Sequence, residues 1–359
     1  MKLEHRFAML GGLTAAAVVA TVLTGVGPAT AAPSRAPTRT TGVVSSTAQL
    51  SPDLAASARN GGDAAYRQAL DSYWTAERMR SAKPESEIPS VKAAAARTST
   101  LSTTITTQSA SAKRTPARIP AAAPLTAPAA SGVQTMSTNP AYPVGHPVAR
   151  TLGKVFFTSG GYNYVCSGTI VNTEGKSSVW TAAHCLTEGG AWSTNWVFVP
   201  NYYNGSAPYG NWYAYQLWAT SAYFYNNNDL ANDVGSVVMN RNSGVRITDY
   251  LGGQGIEWNY PTGQYMYAFG YPQAAPFNGS ILIQNAGYTY DNGDSTVYQL
   301  NDMTGGSSGG SWLAEFDGSW GYIDGHNDFK YNAYPQYMFS PYYGDQVGSL
   351  YNTVRNLTT

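Results

Sequence analysis

The sequence predicts a mainly antiparallel β domain, a sandwich or a pair of barrels, ending in one helix and preceded by a leader and a long stretch with little to bury. Beyond about Pro143 the chain consists of short runs of β-branched and aromatic residues separated by Gly, Asn, Pro and Ser, with no intervening helices. The large apolar side chains lie there too: of 27 Tyr and 9 Trp, only Tyr66, Tyr73 and Trp74 fall in the first 140 residues. Charge divides at the same place. Residues 1–140 hold 14 basic and 7 acidic side chains and residues 141–359 hold 7 and 14, so the formal zero of the 359-residue chain is +7 set against −7.

Taken in order, Lys2, His5 and Arg6 precede an apolar stretch from Phe7 to Val26, followed by Ala29, Thr30 and Ala31. This is the charged, apolar, small-residue order of a secretory signal peptide cleaved after Ala31, and it makes the protein extracellular, with no membrane attachment after cleavage. From Val91 to Pro140, 34 of 50 residues are Ala, Ser, Thr or Pro, too small to offset the conformational entropy of folding, so most of residues 32–140 is expected to be disordered. One helix interrupts this segment: Asp63 can cap it, Tyr66, Leu70, Tyr73 and Trp74 share a face, and it ends before Lys83-Pro84. A basic segment facing an acidic domain suits a pro-segment that docks on the downstream domain; a surface spacer is the other reading.

Strands are expected at Val155 to Thr158, Val165 to Val171, Val179 to Leu186, Trp196 to Val199, Val234 to Met239, Tyr265 to Phe269, Ile281 to Gln284, Thr296 to Leu300 and Trp312 to Phe316. The closing helix has Asp345 as its expected cap, with Val347, Leu350, Tyr351, Val354 and Leu357 on one face. No basic stretch is interleaved with aromatics, which argues against nucleic-acid binding. Charged residues make up only 12% of the chain, against roughly 25% in an average domain, as in β-rich secreted proteins.

Three short motifs carry chemistry. Thr181-Ala182-Ala183-His184-Cys185 sets a histidine, the usual general base near neutral pH, among small neighbours at a strand end. Cys185 and Cys166 are the only cysteines, and in an exported protein they should form a disulfide. Closing that loop of about 20 residues contributes roughly 3 kcal/mol and fixes the backbone at His184. A zinc site would need both thiols reduced. The run Thr304-Gly305-Gly306-Ser307-Ser308-Gly309-Gly310 supplies a serine on a tight glycine turn whose backbone N–H groups can converge on one point. Between them a carboxylate must orient the imidazole; Asp233, at the rim of an apolar strand, is the candidate, with Asp229 the alternative.

CSGTIV, TAAHC, NDVGSVVM and GGSSGG, in that order over about residues 145–355, resemble the trypsin-type, chymotrypsin-like serine endopeptidases, most closely their bacterial V8-like and glutamyl endopeptidase branch. Tyr73 to Arg80 also looks like a pro-segment of secreted bacterial members. The resemblance implies two six-stranded barrels, about 145–245 and 246–359, with the cleft between them. It makes His184 the base, Asp233 its orienting carboxylate, Ser308 the nucleophile, and the Gly306 and Ser308 backbone N–H groups the oxyanion hole. No cofactor is implied. The implied partners are protein or peptide substrates and the chain's own pro-segment, on a monomer.

The departures have consequences. Ser307 stands where trypsin-like zymogens carry the Asp that pairs with the new N-terminus, so activation should proceed by removal of the pro-segment from the cleft. Ser311 replaces the usual Pro. Asp302, six residues before Ser308, suggests a pocket for basic side chains, whereas His326 or Asn327 suggests one for acidic side chains. Two other functions fit the sequence: a catalytically inactive protease-like binding protein, and a polysaccharide-binding β-protein using stretches such as Tyr209 to Trp218 and Tyr331 to Tyr343.

Overall fold

The computed structural model describes residues 42–58, 62–97, 114–125, 142–226 and 229–359; the leader, residues 1–31, lies outside the described residues. Among these, no helix is long and apolar enough to cross a membrane.

The run Val155-Phe156-Phe157 is apolar at consecutive positions, as a strand covered on both faces must be. It lies in the strand Leu152–Ser159, which pairs antiparallel with Tyr162–Val171 on one side and Thr194–Pro200 on the other. The ladder continues through Ser178–Thr181, Gly235–Met239 and Trp212–Thr220, and closes where Trp212 pairs with Phe198. Six strands thus form a ring. Val155, Phe157, Ile170, Trp196, Phe198 and Val237 fill its interior, while the alternate residues Phe156, Val165, Trp180 and Val197 join a second cluster outside it.

Part of that outer cover comes from the N-terminal segment, through Leu70, Trp74, Met79 and Ala82. The expected helix is present as Gly62–Tyr73, and a second helix, Ala76–Ser81, starts where the Thr75 side chain accepts a hydrogen bond from the Arg78 N–H. The long helix read from the sequence therefore breaks at Thr75, which places Trp74 and Met79 inward separately. Trp74 packs 5.6 Å from the Phe156 ring and donates its indole N–H to the Asn195 carbonyl at 2.7 Å. Elements beyond the one expected helix appear as well. Val43–Thr47 adds an antiparallel strand along Trp212–Thr220, Lys83–Pro84 pairs with Tyr164 and Val165, and Pro89–Ala95 is a further short helix.

In the C-terminal half, Gly255–Trp258, Tyr265–Gly270, Ile283–Tyr288, Ser311–Ala314 and Tyr322–His326 form one sheet, and Thr296–Leu300 with Tyr337–Pro341 forms most of another; Phe329, three residues beyond the first sheet's Tyr322–His326 strand, makes a single bridge to Phe339 of the second. The first sheet gains a sixth strand from Ala117–Ile119, residues the sequence assigns to the linker. Trp212–Thr220 is a barrel strand with Trp212, Tyr213 and Leu217 buried, and Tyr331 and Tyr343 are also interior, so these aromatics serve packing. The final helix, Asp345–Val354, buries Val347, Leu350, Tyr351 and Val354 as expected; its cap is Gly344, and Asp345 instead accepts from the Asn259 amide at 2.8 Å.

Opposite charge is used locally. Arg118 of the linker strand donates to Glu257, whose side chain is fully buried, and at 2.8 Å to Glu315. Replacing Arg118 by Ala leaves the Glu257 carboxylate buried without its cation. Because the guanidinium is a quarter exposed, we expect a loss of about 2 kcal/mol, below the roughly 3–5 kcal/mol of a fully buried broken pair. Urea unfolding of the full chain measures it, and an unchanged midpoint would contradict the assignment.

Candidate active site

The strand Ser178–Thr181 stops at Ala182, and the 3-10 turn Ala183–Cys185 carries His184 into the interior. Asp233 ends the neighbouring turn Leu230–Asn232 and holds His184 twice. Its Oδ1 accepts the His184 backbone N–H at 2.9 Å, and its Oδ2 lies 2.9 Å from the ring Nδ1. The carboxylate that reaches the imidazole is thus Asp233; Asp229 starts the turn, four residues earlier. Burial works against a charged imidazole, but the Asp233 charge and hydrogen bond, with a further contribution from the nearby Asp328 carboxyl, outweigh it and hold His184 well above its ordinary value. Asp233 is correspondingly lowered: burial opposes its charge, and the His184 cation and hydrogen bonds overcome that.

Cys166 and Cys185 are joined in a disulfide with 19 residues of separation, tying the strand Tyr162–Val171 to the residue beside His184. That bond takes both sulfurs a zinc site would have used. Next to Cys166, Ser167 binds the serine turn. Its N–H donates to the Ser308 carbonyl at 2.7 Å and its hydroxyl to the Gly306 carbonyl at 2.9 Å, while its own oxygen accepts from the Tyr271 N–H at 2.9 Å. Thr169 reaches Ser311 at 2.8 Å, a hydroxyl pair that proline at 311 would remove. Gly309 has φ +78°, and a Cβ there would come within 2.1 Å of Thr181 Oγ1 and 2.5 Å of the Ser167 carbonyl. Only glycine lets the turn approach this closely.

The Ser308 hydroxyl does not bond to His184. It donates to Glu85 Oε1 at 2.6 Å, and the other oxygen of the same carboxylate accepts the Gly306 N–H. Glu85 comes from the 3-10 turn Glu85–Glu87 of the N-terminal segment and is buried. Burial raises its value, against the attraction of His184 and the hydrogen bonds from Ser308 and Gly306. Nearby, Lys154 is buried in a barrel strand with its ammonium on Gln273 and the Gly279 carbonyl, and desolvation brings it down to about 7.

A cavity beside Ser308 is lined by Thr304, Gly305, Phe329 and Lys330, and Val91 and Ala95 of the segment's helix cover it. Asp302, His326 and Asn327 are not among its lining residues. Asp302 is exposed. His326 is enclosed against the Tyr343 hydroxyl at 2.9 Å and lowered to about 4 by burial. Asn327 accepts from Trp312 Nε1 at 2.9 Å and donates to the Phe269 carbonyl at 2.9 Å, bracing the strand next to the serine turn. Three groups near the site escaped the sequence reading: Glu85, Lys154 and Asp328. The only signal for Glu85 was an acidic residue in a basic segment, and for Asp328 there was none.

The closed barrel, with its histidine turn facing a glycine-bound serine, has the form of a chymotrypsin-like protein. Among solved structures, the chain is similar to the protease Anisep from Arthrobacter nicotinovorans, with 40% sequence identity and a TM-score of 0.56, covering 58% of this chain and 97% of that one. It is similar also to AL20, a thermostable serine protease from an extremophilic microorganism, with 36% identity and a TM-score of 0.55, covering 58% and 98%. A Glu endopeptidase matches at 17% identity and a TM-score of 0.49 over 62% and 96%. No family model and no curated protein matches. The chain belongs to the bacterial chymotrypsin-like serine proteases, and peptide hydrolysis is the activity this membership supports.

Replacing Cys166 and Cys185 together by Ala should lower stability by about 3 kcal/mol, the loop-closure contribution for this separation. Denaturant unfolding tests this; a loss near zero would mean that packing alone holds the two elements.

Proposed function

We propose that this protein is a secreted serine endopeptidase in precursor form, with His184, Asp233 and Ser308 as its catalytic groups and its own N-terminal segment as inhibitor. The carrying observation is the Glu85 carboxylate, which spans Ser308 Oγ and the Gly306 N–H. That is the space a reacting peptide carbonyl would need: one atom facing the nucleophile, one facing the donors that stabilise negative oxygen.

With Glu85 withdrawn, His184 is free to take the Ser308 proton as the hydroxyl attacks a peptide carbonyl. The oxygen becomes negative against the Gly306 and Ser308 N–H groups, and His184, steadied by Asp233, returns the proton to the leaving amine. Water then repeats the sequence on the acyl-enzyme. Activation in this scheme needs no new ion pair, in keeping with Ser307; it requires the segment to leave.

Latency should depend on pH. Docking raises the Glu85 carboxyl above its ordinary range. A group raised in this way stabilises the docked form fully below its free value, and that contribution is lost as pH climbs through the docked value. Release of the segment should therefore quicken as pH rises from acid toward neutral.

A serine-directed fluorophosphonate provides the test. Full-length wild type should label slowly, Glu85→Ala faster, and Ser308→Ala not at all. Equal labelling of wild type and Glu85→Ala would refute the inhibitory role, and labelling of Ser308→Ala would refute the assigned nucleophile. In the processed enzyme, Asp233→Asn should reduce kcat by about ten-thousandfold, as expected when the orienting carboxylate is lost; steady-state peptide hydrolysis measures this.

A further inference from the structure

Asp328 lies just beyond the strand Tyr322–His326, with its side chain wholly buried. Its Oδ1 is 3.3 Å from His184 Nδ1, the nitrogen that Asp233 Oδ2 approaches at 2.9 Å. A single ring N–H has one proton to give, and the nearer, doubly bonded Asp233 receives it. Neither Asp328 oxygen has a donor in hydrogen-bond geometry among the described residues. One ring nitrogen of His184 and one carboxyl oxygen from each of Asp233 and Asp328 lie within 4.8 Å of one another. Two bare carboxylates so close, out of water and sharing one imidazole, would repel strongly; a single proton between them turns the repulsion into a hydrogen bond.

We propose that Asp328 is a positioning residue, a protonated carboxyl that donates to Asp233 and, through it, sets the orientation and basicity of His184. This rests on the reading of His184 as the general base. Burial and then the Asp233 charge raise Asp328 well above the ordinary carboxylate range, with the His184 contributions opposing. The titratable groups around the pair are Tyr223 from the helix Ser221–Tyr225, Tyr343 before the last helix, His326 on the strand that precedes Asp328, and Glu85 from the N-terminal segment. Tyr223 and Tyr343 are themselves pushed up and His326 down to about 4, so these three bring no charge to the pair in the working range; Tyr223 keeps a hydroxyl that bonds to Asp233, and the proton between the two carboxyls is that of Asp328. The assignment also gives a reason for an acid at 328: beside Asp233, a second carboxyl can serve as a donor only while it keeps its proton.

The test uses the processed enzyme. Asp328→Ala removes the donor and should lower kcat by roughly ten- to a hundredfold with KM little changed, the scale of a misplaced catalytic group. Asp328→Asn, whose amide can donate without charge, should recover most of that loss and keep the acid limb of kcat/KM where wild type has it. A difference infrared spectrum of unreacted wild type at neutral pH should contain a protonated-carboxyl C=O band that Asp328→Asn lacks. The proposal is overturned if Asp328→Ala keeps wild-type kcat, if the band is absent, or if Asp328→Asn moves the acid limb down by about one unit, the effect of removing a negative charge beside the imidazole. The band is read without turnover, so its absence counts against Asp328 alone, whereas loss of all hydrolysis would count against the triad.

Discussion

Three carboxyl groups and one imidazole lie out of water at the junction of the two halves, and a buried charge is tolerated only with a partner. That requirement organises the site. Asp233 uses both oxygens on His184, one on its backbone and one on its ring. Glu85 uses both oxygens on the serine turn. Asp328 has no donor of its own among the described residues, so its stable state is the protonated one. Taking any one of them away leaves another ionisable group under-partnered, which makes the pieces interdependent although they lie far apart in sequence.

The serine turn is held to the same standard by hydrogen bonds. Ser167 donates to two carbonyls of the turn, and the missing Cβ of Gly309 lets the turn settle against Thr181 and Ser167. The disulfide fixes Cys166 to Cys185, so one covalent link and one serine position Ser308 relative to the turn that carries His184. In place of a proline at 311, Thr169 and Ser311 exchange a buried hydrogen bond. The halves therefore meet through backbone carbonyls and hydroxyls, groups of fixed reach, and not only through adaptable apolar contacts.

The parts of this that were legible in the sequence are those with local causes. His184, Asp233, Ser308 and the cysteine pair each sit in a short motif whose neighbours set their backbone. The strands with β-branched runs were equally readable. Trp212–Thr220 was not, because its Trp and Tyr alternate with Gln and Ala and resemble a surface stretch until closure of the ring buries Trp212, Tyr213 and Leu217. Ala117–Ile119 has almost no strand signal; the free edge at Gly255–Trp258 and the buried Glu257 recruit it. Glu85 meets Gly306 across 221 positions of chain, and Asp328 reaches His184 only after both halves have folded. No local pattern encodes such a meeting, since neither residue needs a special backbone to make it.

In the inhibitory role proposed above, a side-chain carboxylate as the plug has its own chemical logic. A main-chain carbonyl in that place would be a substrate: it carries an amine that can leave, and attack by Ser308 would sever the inhibitor. The Glu85 carboxylate satisfies the same donors with an oxygen that is already negative, and resonance together with the lack of a leaving group makes its carbon resistant to attack. It also accepts the Ser308 proton in a hydrogen bond that would otherwise be available to His184 Nε2, an atom without a partner among the described residues in the docked form. On the proposed reading, the segment can thus occupy the centre of the site, separate Ser308 from His184, and remain intact. Its hold is then decided elsewhere, by Leu70, Trp74 and Met79 packed on the barrel and by the strand Val43–Thr47 along its edge. Those contacts lie away from His184 and Ser308, so the proposed inhibition can vary in strength without any change at those residues.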